Sequence, residues 1–163
     1  MIINLSRIDD RLIHGQVTTV WAKEARAERI IICDDEVAND EIRKTLLKQA
    51  APPGIKVNVV DVDKAIRVYN NPKYDKVTAF LLFTNPTAVL RMIKGGVDIK
   101  SVNIGGMAFR HGKQQLTKAV SVDADDVEAF RELNNLNVEL DYRVVKTDPK
   151  SNFIDIIEKE YRI

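Results

Sequence analysis

One short segment of the sequence, residues 9–16, carries most of the side chains that could do chemistry. It brings together two carboxylates, a guanidinium and an imidazole: Asp9, Asp10, Arg11 and His14. A neutral histidine beside a carboxylate can act as a nucleophile or a base, because the carboxylate orients one ring nitrogen and leaves the other free. Asp9 and Asp10 are both candidates for that orienting role, and the residue types alone do not choose between them.

The same segment is suited to an anion, because it leads into a predicted helix. The unpaired N–H groups and the positive end of the dipole at a helix N-terminus favour a negative group. Arg11 adds a planar donor fork that matches phosphate or carboxylate oxygens, and Arg7 is a second basic candidate. Gly15 allows close approach and Gln16 offers an amide donor. The segment therefore predicts an anion site around His14.

Two purely structural interpretations fit these residues equally well. His14 could cap or pack at the start of the helix without any chemistry. The arginines and aspartates could form an ordinary surface ion-pair cluster. Local sequence does not separate these interpretations from an anion site.

Composition narrows the kinds of chemistry that are available. The 163 residues carry a formal net charge of +1, whereas a nucleic-acid-binding module usually has a clear basic excess. One cysteine, Cys33, excludes an internal disulfide and a multi-cysteine zinc site. Two histidines, His14 and His111, make a histidine-rich metal centre improbable on numbers alone. We therefore expect neither a metal nor a cofactor.

Other motifs are weaker. The segment Gly106–Lys113 resembles a P-loop, but five residues separate its glycines where four are required, and Gln114 replaces the magnesium-binding Ser or Thr. Acidic residues follow Cys33, which favours a buried core cysteine over a reactive thiol. There is neither a signal-peptide core nor an uncharged run of membrane-spanning length. The sequence predicts a cytoplasmic protein.

The elements that must position the site alternate between strand and helix patterns. Short β-branched runs separated by helical periodicities predict an α/β fold: a single three-layer domain, 1–163, with a mostly parallel central sheet of six to seven strands and helices on both faces. Asn39, Asn85 and Asp123 are the predicted N-caps of three helices. In the Asn39 helix, Ile42, Leu46 and Ala50 share one face, which we expect to pack inward.

In parallel sheets of this kind, ligands bind outside the carboxyl ends of the strands. Four loops lie there: Asp9–Gly15, Asp34–Asn39, Thr84–Asn85 and Gly105–Lys113. Thr84, Gly105 and Gly106 are accordingly candidate contacts from neighbouring loops. From spacing alone, a tight turn at Gly105–Lys113 is the simpler interpretation.

The segment RIDDRLIHGQV, residues 7–17, resembles the active-site loop of the mannose-type IIB components of the bacterial sugar phosphotransferase system (PTS). The resemblance continues through RKTLLKQAAPPG, RVYNNPKY, LLFTNPT, VNIGGMAFRHGK and AVSVDADDVEAFREL, in order along nearly the whole chain. The sequence is thereby identified as a member of that family.

The resemblance implies a phosphocarrier. His14 would accept a phosphoryl group at Nδ1 from a phosphohistidine of a IIA protein, here expected to be a separate polypeptide. It would pass the group to a sugar arriving through membrane IIC and IID components. Arg11 would neutralise the phosphoryl oxygens, with Arg7 as a second basic group. The identity of the sugar and the state of homo-oligomerisation are not encoded in anything the sequence shows.

Three functions remain open at this level: the phosphocarrier, an anion-binding module without covalent chemistry, and a regulatory module controlled by phosphorylation. For the carrier we expect a shallow site with a positive patch at Arg7 and Arg11. Leu12, Ile13 and Met107 can be either partner-docking residues or core residues.

Overall fold

In the part of the chain that the structure describes, seven strands form one sheet with the order β3-β2-β4-β1-β5-β8-β9. The structure is a computed structural model that describes the backbone of residues 1–163 and every side chain except those of Gln16 and Val17. The strands of this sheet are β1 Ile2–Asp9, β2 Arg29–Cys33, β3 Lys56–Val60, β4 Thr78–Phe83, β5 Ser101–Gly106, β8 Glu139–Tyr142 and β9 Ser151–Asn152. All pairs are parallel except β8 with β9.

Helices cover both faces of the sheet, as the alternating sequence pattern predicted. They are α1 Gly15–Ala25, α2 Asp35–Ala38, α3 Glu41–Gln49, α4 Val62–Tyr69, α5 Pro86–Lys94, α6 Ala124–Asn135 and α7 Phe153–Glu160. A small antiparallel pair, β6 Gln114–Gln115 with β7 Ser121–Val122, lies outside the main sheet. The prediction of a three-layer α/β fold with a mostly parallel sheet is confirmed.

Two apolar cores lie on opposite faces of the sheet. Along β4, alternate side chains enter different cores, because successive residues of a strand point to opposite faces. Phe80 and Leu82 pack with α1, α2 and α3, around Trp21 and Leu47. On the other face the core contains α4, α5, α6 and α7; its β4 members are Leu81 and Phe83. Both faces of the sheet are therefore sealed, and the carboxyl ends of the strands lie between the two helical layers.

The local signals at helix ends had mixed success. Asn85 and Asp123 are N-caps as predicted, each accepting a hydrogen bond from the backbone N–H three residues later. The prediction for Asn39 was wrong: it ends α2, and the neighbouring Asp40 caps α3 by accepting from the Arg43 N–H at 3.1 Å. Asp40 is the cap because it lies three residues before Arg43, the spacing at which a side-chain oxygen can accept from a free N–H of the first helical turn.

The apolar face predicted for α3 was also wrong. Ile42 is 77% exposed and Leu46 59% exposed, whereas Leu47 enters the core. A nine-residue helix with few apolar residues allows more than one apolar face, and contact with β3 selects the one containing Leu47.

The topology places the end of β1 at the middle of the sheet. β1 is the fourth of the seven strands described and pairs with β4 on one side and β5 on the other. The loop that follows Asp9 is therefore flanked by the loops that follow β4 and β5. Among the helices described, none has the length and apolarity needed to cross a membrane.

Candidate active site

Asp9, the last residue of β1, is the buried centre of the site. Its carboxylate is 0% exposed and binds two guanidinium groups. Arg7 Nη2 donates to Oδ2 at 3.0 Å, and Arg11 donates from Nη2 to Oδ2 at 2.9 Å and from Nε to Oδ1 at 3.0 Å. The Arg11 backbone N–H also donates to Oδ1 at 3.2 Å. Because a buried carboxylate is tolerated only when it is paired and hydrogen-bonded, these contacts fix Asp9 in place.

His14 stands at the N-cap of α1 with its side chain 24% exposed. Its Nδ1 lies 2.8 Å from the Leu12 carbonyl oxygen, a hydrogen bond in which Nδ1 carries the proton. Its Nε2 faces Asp9 Oδ2 at 3.8 Å, is enclosed, and has no hydrogen-bond partner among the described residues. The His14 side chain does not cap the helix, which argues against a purely capping role.

The loop between Asp9 and His14 is held in a tight turn. The Leu12 N–H donates to the Asp9 carbonyl at 2.9 Å, and Leu12 adopts a left-handed φ of +59° that is costly for a non-glycine residue. Thr18, buried in α1, accepts from the His14 N–H at 3.0 Å and donates to the Leu12 carbonyl at 3.2 Å. Sequence reasoning missed Thr18, although its place four residues after His14, on the same helix face, was an available signal.

The two arginines differ sharply in exposure. The Arg11 side chain is 46% exposed, and its hydrogen bond to Asp9 raises its pKa, so it stays charged at the surface beside His14. Arg7 is 2% exposed, and burial lowers its pKa while Asp9 acts in the opposite direction. The burial of Arg7 corrects the expectation that it contributes to a positive surface patch. Of these two arginines, only Arg11 supplies positive charge at the surface.

Asp10 forms its hydrogen bonds with the end of β5 and the loop that follows it. Its Oδ2 accepts from the Ala108 N–H at 2.7 Å, and its own N–H donates to the Gly106 carbonyl at 3.1 Å. It therefore joins the β1 loop to the β5 loop, and Asp9 is the aspartate that faces the imidazole. Of the two aspartates expected as candidates to orient His14, the structure places Asp9 at 3.8 Å from the imidazole Nε2.

Gly105 and Gly106 make room for the arginines. A Cβ at Gly105 would lie 2.0 Å from Arg7 Nη2, and one at Gly106 would lie 3.2 Å from Arg11 Nη2. The guanidinium groups therefore lie in the space that a side chain at either glycine would need. Gly15 has a φ of +49° at the first position of α1, a conformation that glycine adopts readily. The Gln16 side chain lies outside the described residues.

Thr84 is not brought to the imidazole. Its hydroxyl donates to Asp34 Oδ2, and both residues line a cleft of about 710 Å³ whose lining includes Asp10 but not His14. The three apolar residues considered as docking or core residues differ in burial. Leu12 and Met107 are core residues, and Ile13 is half-buried.

Three further groups at the site, all acceptors for Arg7, were missed from the sequence. Asn103, in the middle of β5, accepts from Arg7 Nη1, and the carbonyls of Arg143 and Val144 accept from Arg7 at 3.1 and 2.9 Å. The available signal for Asn103 was a buried amide inside an otherwise apolar strand. Nothing local marks the two carbonyls, because they come from the loop after β8.

The remaining reactive residues do not form a second centre. Cys33 is buried in the core, and burial raises its pKa well above the ordinary value, with Asp34 acting in the same direction. His111 is exposed in the β5 loop. Within the described residues, no cluster of three or more His, Cys, Asp or Glu side chains is arranged to hold a metal ion.

The fold and the loop together define an α/β protein that presents one histidine, backed by a buried carboxylate, at the carboxyl edge of a parallel sheet. The family model described as the PTS system sorbose subfamily IIB component matches residues 3–162. The chain therefore belongs to the sorbose subfamily of PTS IIB components, within the mannose type, and the components of this family are phosphotransferases of sugar uptake.

Individual relatives agree with this assignment. The chain is 64% identical over 161 residues to the sorbose-specific EIIB component of Lacticaseibacillus casei, covering 99% of this chain and 98% of the relative. It is 61% identical to the mannose-specific EIIAB component of Escherichia coli K12, covering 98% of this chain and 49% of that longer protein. The crystal structure of the IIBSor domain of the Klebsiella pneumoniae sorbose permease superimposes with a TM-score of 0.97 at 63% identity, covering 99% of each chain.

Proposed function

We propose that this protein carries a phosphoryl group on His14, taking it from a phosphohistidine of a IIA protein and delivering it to a sugar imported through membrane IIC and IID components. The observation that carries the proposal is the position of His14: at the N-cap of α1, partly exposed, with Asp9 behind its Nε2 and Arg11 beside it. No cofactor and no nucleic acid are required for this reaction.

Nδ1 is the nitrogen that we assign to the phosphoryl group. Nε2 is enclosed against Asp9, so a donor cannot reach it. Nδ1 is held by a hydrogen bond to the Leu12 carbonyl, which can break when the donor approaches. For Nδ1 to attack, its proton must leave and the neutral ring must carry a proton on Nε2 instead. Asp9 Oδ2 then faces that N–H and favours this tautomer, which frees the Nδ1 lone pair.

Transfer to His14 needs alignment and charge stabilisation more than covalent machinery. A new Nδ1–P bond forms as the N–P bond of the donor breaks. The electron pair returns to the donor imidazole, which leaves neutral if its other nitrogen is protonated. The charge on the transferring oxygens is met by Arg11 and by the N–H groups of the first turn of α1.

Delivery to the sugar reverses the roles. A sugar hydroxyl oxygen attacks phosphorus, the Nδ1–P bond breaks, its electron pair stays on Nδ1, and the hydroxyl proton is lost to water. His14 returns to the neutral ring with its proton on Nε2. Because two different proteins must reach His14 in turn, each contact should be transient, at the cytoplasmic face of the membrane.

The proposal is tested by mapping phosphate after incubation with phosphoenolpyruvate and a donor relay that ends in a phosphorylated IIA protein. We expect one acid-labile, base-stable phosphoryl group on His14 in the native protein and none in His14→Ala. His111→Ala, which changes the exposed histidine of the β5 loop, is the matched control and should be phosphorylated like the native protein.

Three results would contradict the proposal. Phosphorylation of His14→Ala to the native extent would exclude His14 as the carrier. Saturable anion binding without a covalent phosphate would favour a binding module. Normal sugar uptake after deletion of the gene would favour a regulatory role.

A further inference from the structure

We infer that Arg7 is a positioning residue for phosphoryl transfer: its buried guanidinium fixes Asp9 and, through Asp9, sets the places of Arg11 and His14. The inference rests on the proposed function, because it names a residue that prepares the His14 site without touching the phosphoryl group.

The hydrogen bonds of Arg7 are the first support. Its Nη1 donates to Asn103 Oδ1 and, at 3.1 Å, to the Arg143 carbonyl. Its Nη2 donates to Asp9 Oδ2 at 3.0 Å and to the Val144 carbonyl at 2.9 Å. These four acceptors match the four Nη hydrogens of a guanidinium. A phosphoryl group could take one of these hydrogens only by breaking a bond that is already buried.

One atom connects Arg7 to the chemistry. Asp9 Oδ2 accepts from Arg7 Nη2 at 3.0 Å and from Arg11 Nη2 at 2.9 Å, and it faces His14 Nε2 at 3.8 Å. All three side chains, those of Arg7, Arg11 and His14, therefore face the same negative charge on Asp9. Because Arg7 is anchored on its other side by β5 and the β8 loop, it determines where Oδ2 lies.

The loop after β8 completes the anchor. The Asp148 carboxylate accepts from the N–H groups of Val144 and Val145, both at 3.1 Å, so it shapes the loop whose carbonyls bind Arg7. The indole N–H of Trp21 donates to the Val144 carbonyl at 3.4 Å, and Arg7 Cζ lies 4.8 Å from the Trp21 ring centroid. Arg7 therefore links the His14 loop to a segment more than 130 residues away in the sequence.

The test separates positioning from direct contact with the donor. In single-turnover phosphorylation by a phosphorylated IIA protein, two quantities are measured: the maximal rate constant and the donor concentration at half-maximal rate. We expect Arg7→Met to lower the maximal rate about 100-fold, the usual effect of misplacing reacting groups by about an ångström, and to leave the half-saturating concentration unchanged. Arg7→Lys keeps the charge but loses the fork, and should also be slow.

A double variant tests whether Arg7 acts through Asp9. If it does, Arg7→Met combined with Asp9→Asn is no slower than the slower single variant, because both changes break the same connection. Losses that multiply would mean that Arg7 acts independently of Asp9, and would overturn the inference. Arg131→Met is a control for the loss of an arginine ion pair elsewhere, since Arg131 on α6 pairs with Glu158 on α7 in a partly exposed position, and it should keep the native rate.

Loss of folding is separated from loss of positioning by a change outside the two cores. Asp148→Ala removes the contacts that shape the β8 loop but keeps the Arg7 side chain and the core residues. It should reduce the maximal rate by a smaller factor with the half-saturating concentration unchanged. Rates are expressed per folded molecule, so a purely structural role for Arg7 predicts native rates in every folded variant, which would overturn the inference.

Phosphorylation of the native protein distinguishes failure of this inference from failure of the proposed function. If the native chain is phosphorylated on His14 and folded Arg7→Lys and Asp148→Ala match its rate, the positioning role fails alone. If the native chain takes no phosphate on His14, the proposed function fails and the positioning role with it.

Discussion

At the scale of single residues, the site is organised around one oxygen atom. Asp9 Oδ2 faces a buried arginine, a half-exposed arginine and an imidazole nitrogen. The two arginines therefore share a partner but not a role. Arg7 contacts Asp9 from inside the protein, whereas Arg11 is half-exposed and, under the proposed function, is the arginine that can reach a phosphoryl group on His14.

That difference predicts distinct consequences for the two arginines. Arg11→Met should slow phosphorylation of His14 by about 100- to 1000-fold, the usual effect of removing one donor to a developing negative charge. Its cost in unfolding free energy should be smaller than that of Arg7→Met, for which breaking a buried ion pair suggests about 3–5 kcal/mol. Single-turnover kinetics and urea unfolding measure the two effects.

Arg91→Met is the control for Arg11, because Arg91 is a partly exposed arginine that pairs with Asp35 and Asp63 away from His14. It should keep the native phosphorylation rate. A native rate in Arg11→Met would show that Arg11 does not contact the transferring group.

The chemistry of residues 9–16 was predictable from residue types, but the division of labour between the arginines was not. Arg7 and Asp9 are two residues apart on β1, so their side chains point to the same face of the sheet. This spacing was a usable signal that the two residues form a pair. The burial of Arg7 depends on Asn103 and Arg143, which are 96 and 136 residues away. Contacts of that separation leave no trace in a local pattern.

At the scale of elements, the site depends on two neighbouring strands, β1 and β5, whose carboxyl ends lie side by side. A glycine near the end of β5 leaves room for a side chain of β1. Gly105, near the end of β5, occupies the place where any side chain would meet the Arg7 guanidinium. The end of β5 is therefore shaped to accept a side chain from β1.

Gly105→Ala should consequently displace Arg7, because its Cβ would lie 2.0 Å from Nη2. We expect a lower free energy of unfolding, by about 1–3 kcal/mol as for other overpacked cores, and slower phosphorylation of His14. Ser101→Ala, at the exposed opposite end of β5, is the control and should change neither quantity by much. A Gly105→Ala protein with native stability and rate would mean that Arg7 can move without consequence.

Element boundaries were predictable where the signal was local and strong. Asn85 followed by Pro86 marks the start of α5, and Asp123 starts α6 with a complete capping box. The prediction failed where two choices were nearly equal. Asn39 and Asp40 are adjacent cap residues, and the hydrogen bond from the Arg43 N–H selects Asp40. The helix α3 has two possible apolar faces, and packing against β3 selects the one with Leu47.

At the scale of the whole molecule, the site is central in the sheet and open to solvent at its edge. Two apolar cores pack against opposite faces of the sheet, and the carboxyl end of its middle strand presents His14 between the helical layers. The proposed carrier role needs this arrangement, because a packed base would keep the histidine oriented while two different partners approach the same exposed edge. The fold class and the carboxyl edge followed from the alternation of strands and helices, whereas the central place of the β1 loop, between those after β4 and β5, required the strand order.

The most direct test of the carrier role is a chase of the phosphoryl group. The protein is labelled with radioactive phosphate through the donor relay, purified, and mixed with membranes that contain the IIC and IID components and with their sugar. We predict that label leaves His14 and appears in the sugar phosphate at the same rate, and only when the sugar is present. Label that remains on the protein, or is released as inorganic phosphate at a rate that the sugar does not change, would contradict the account.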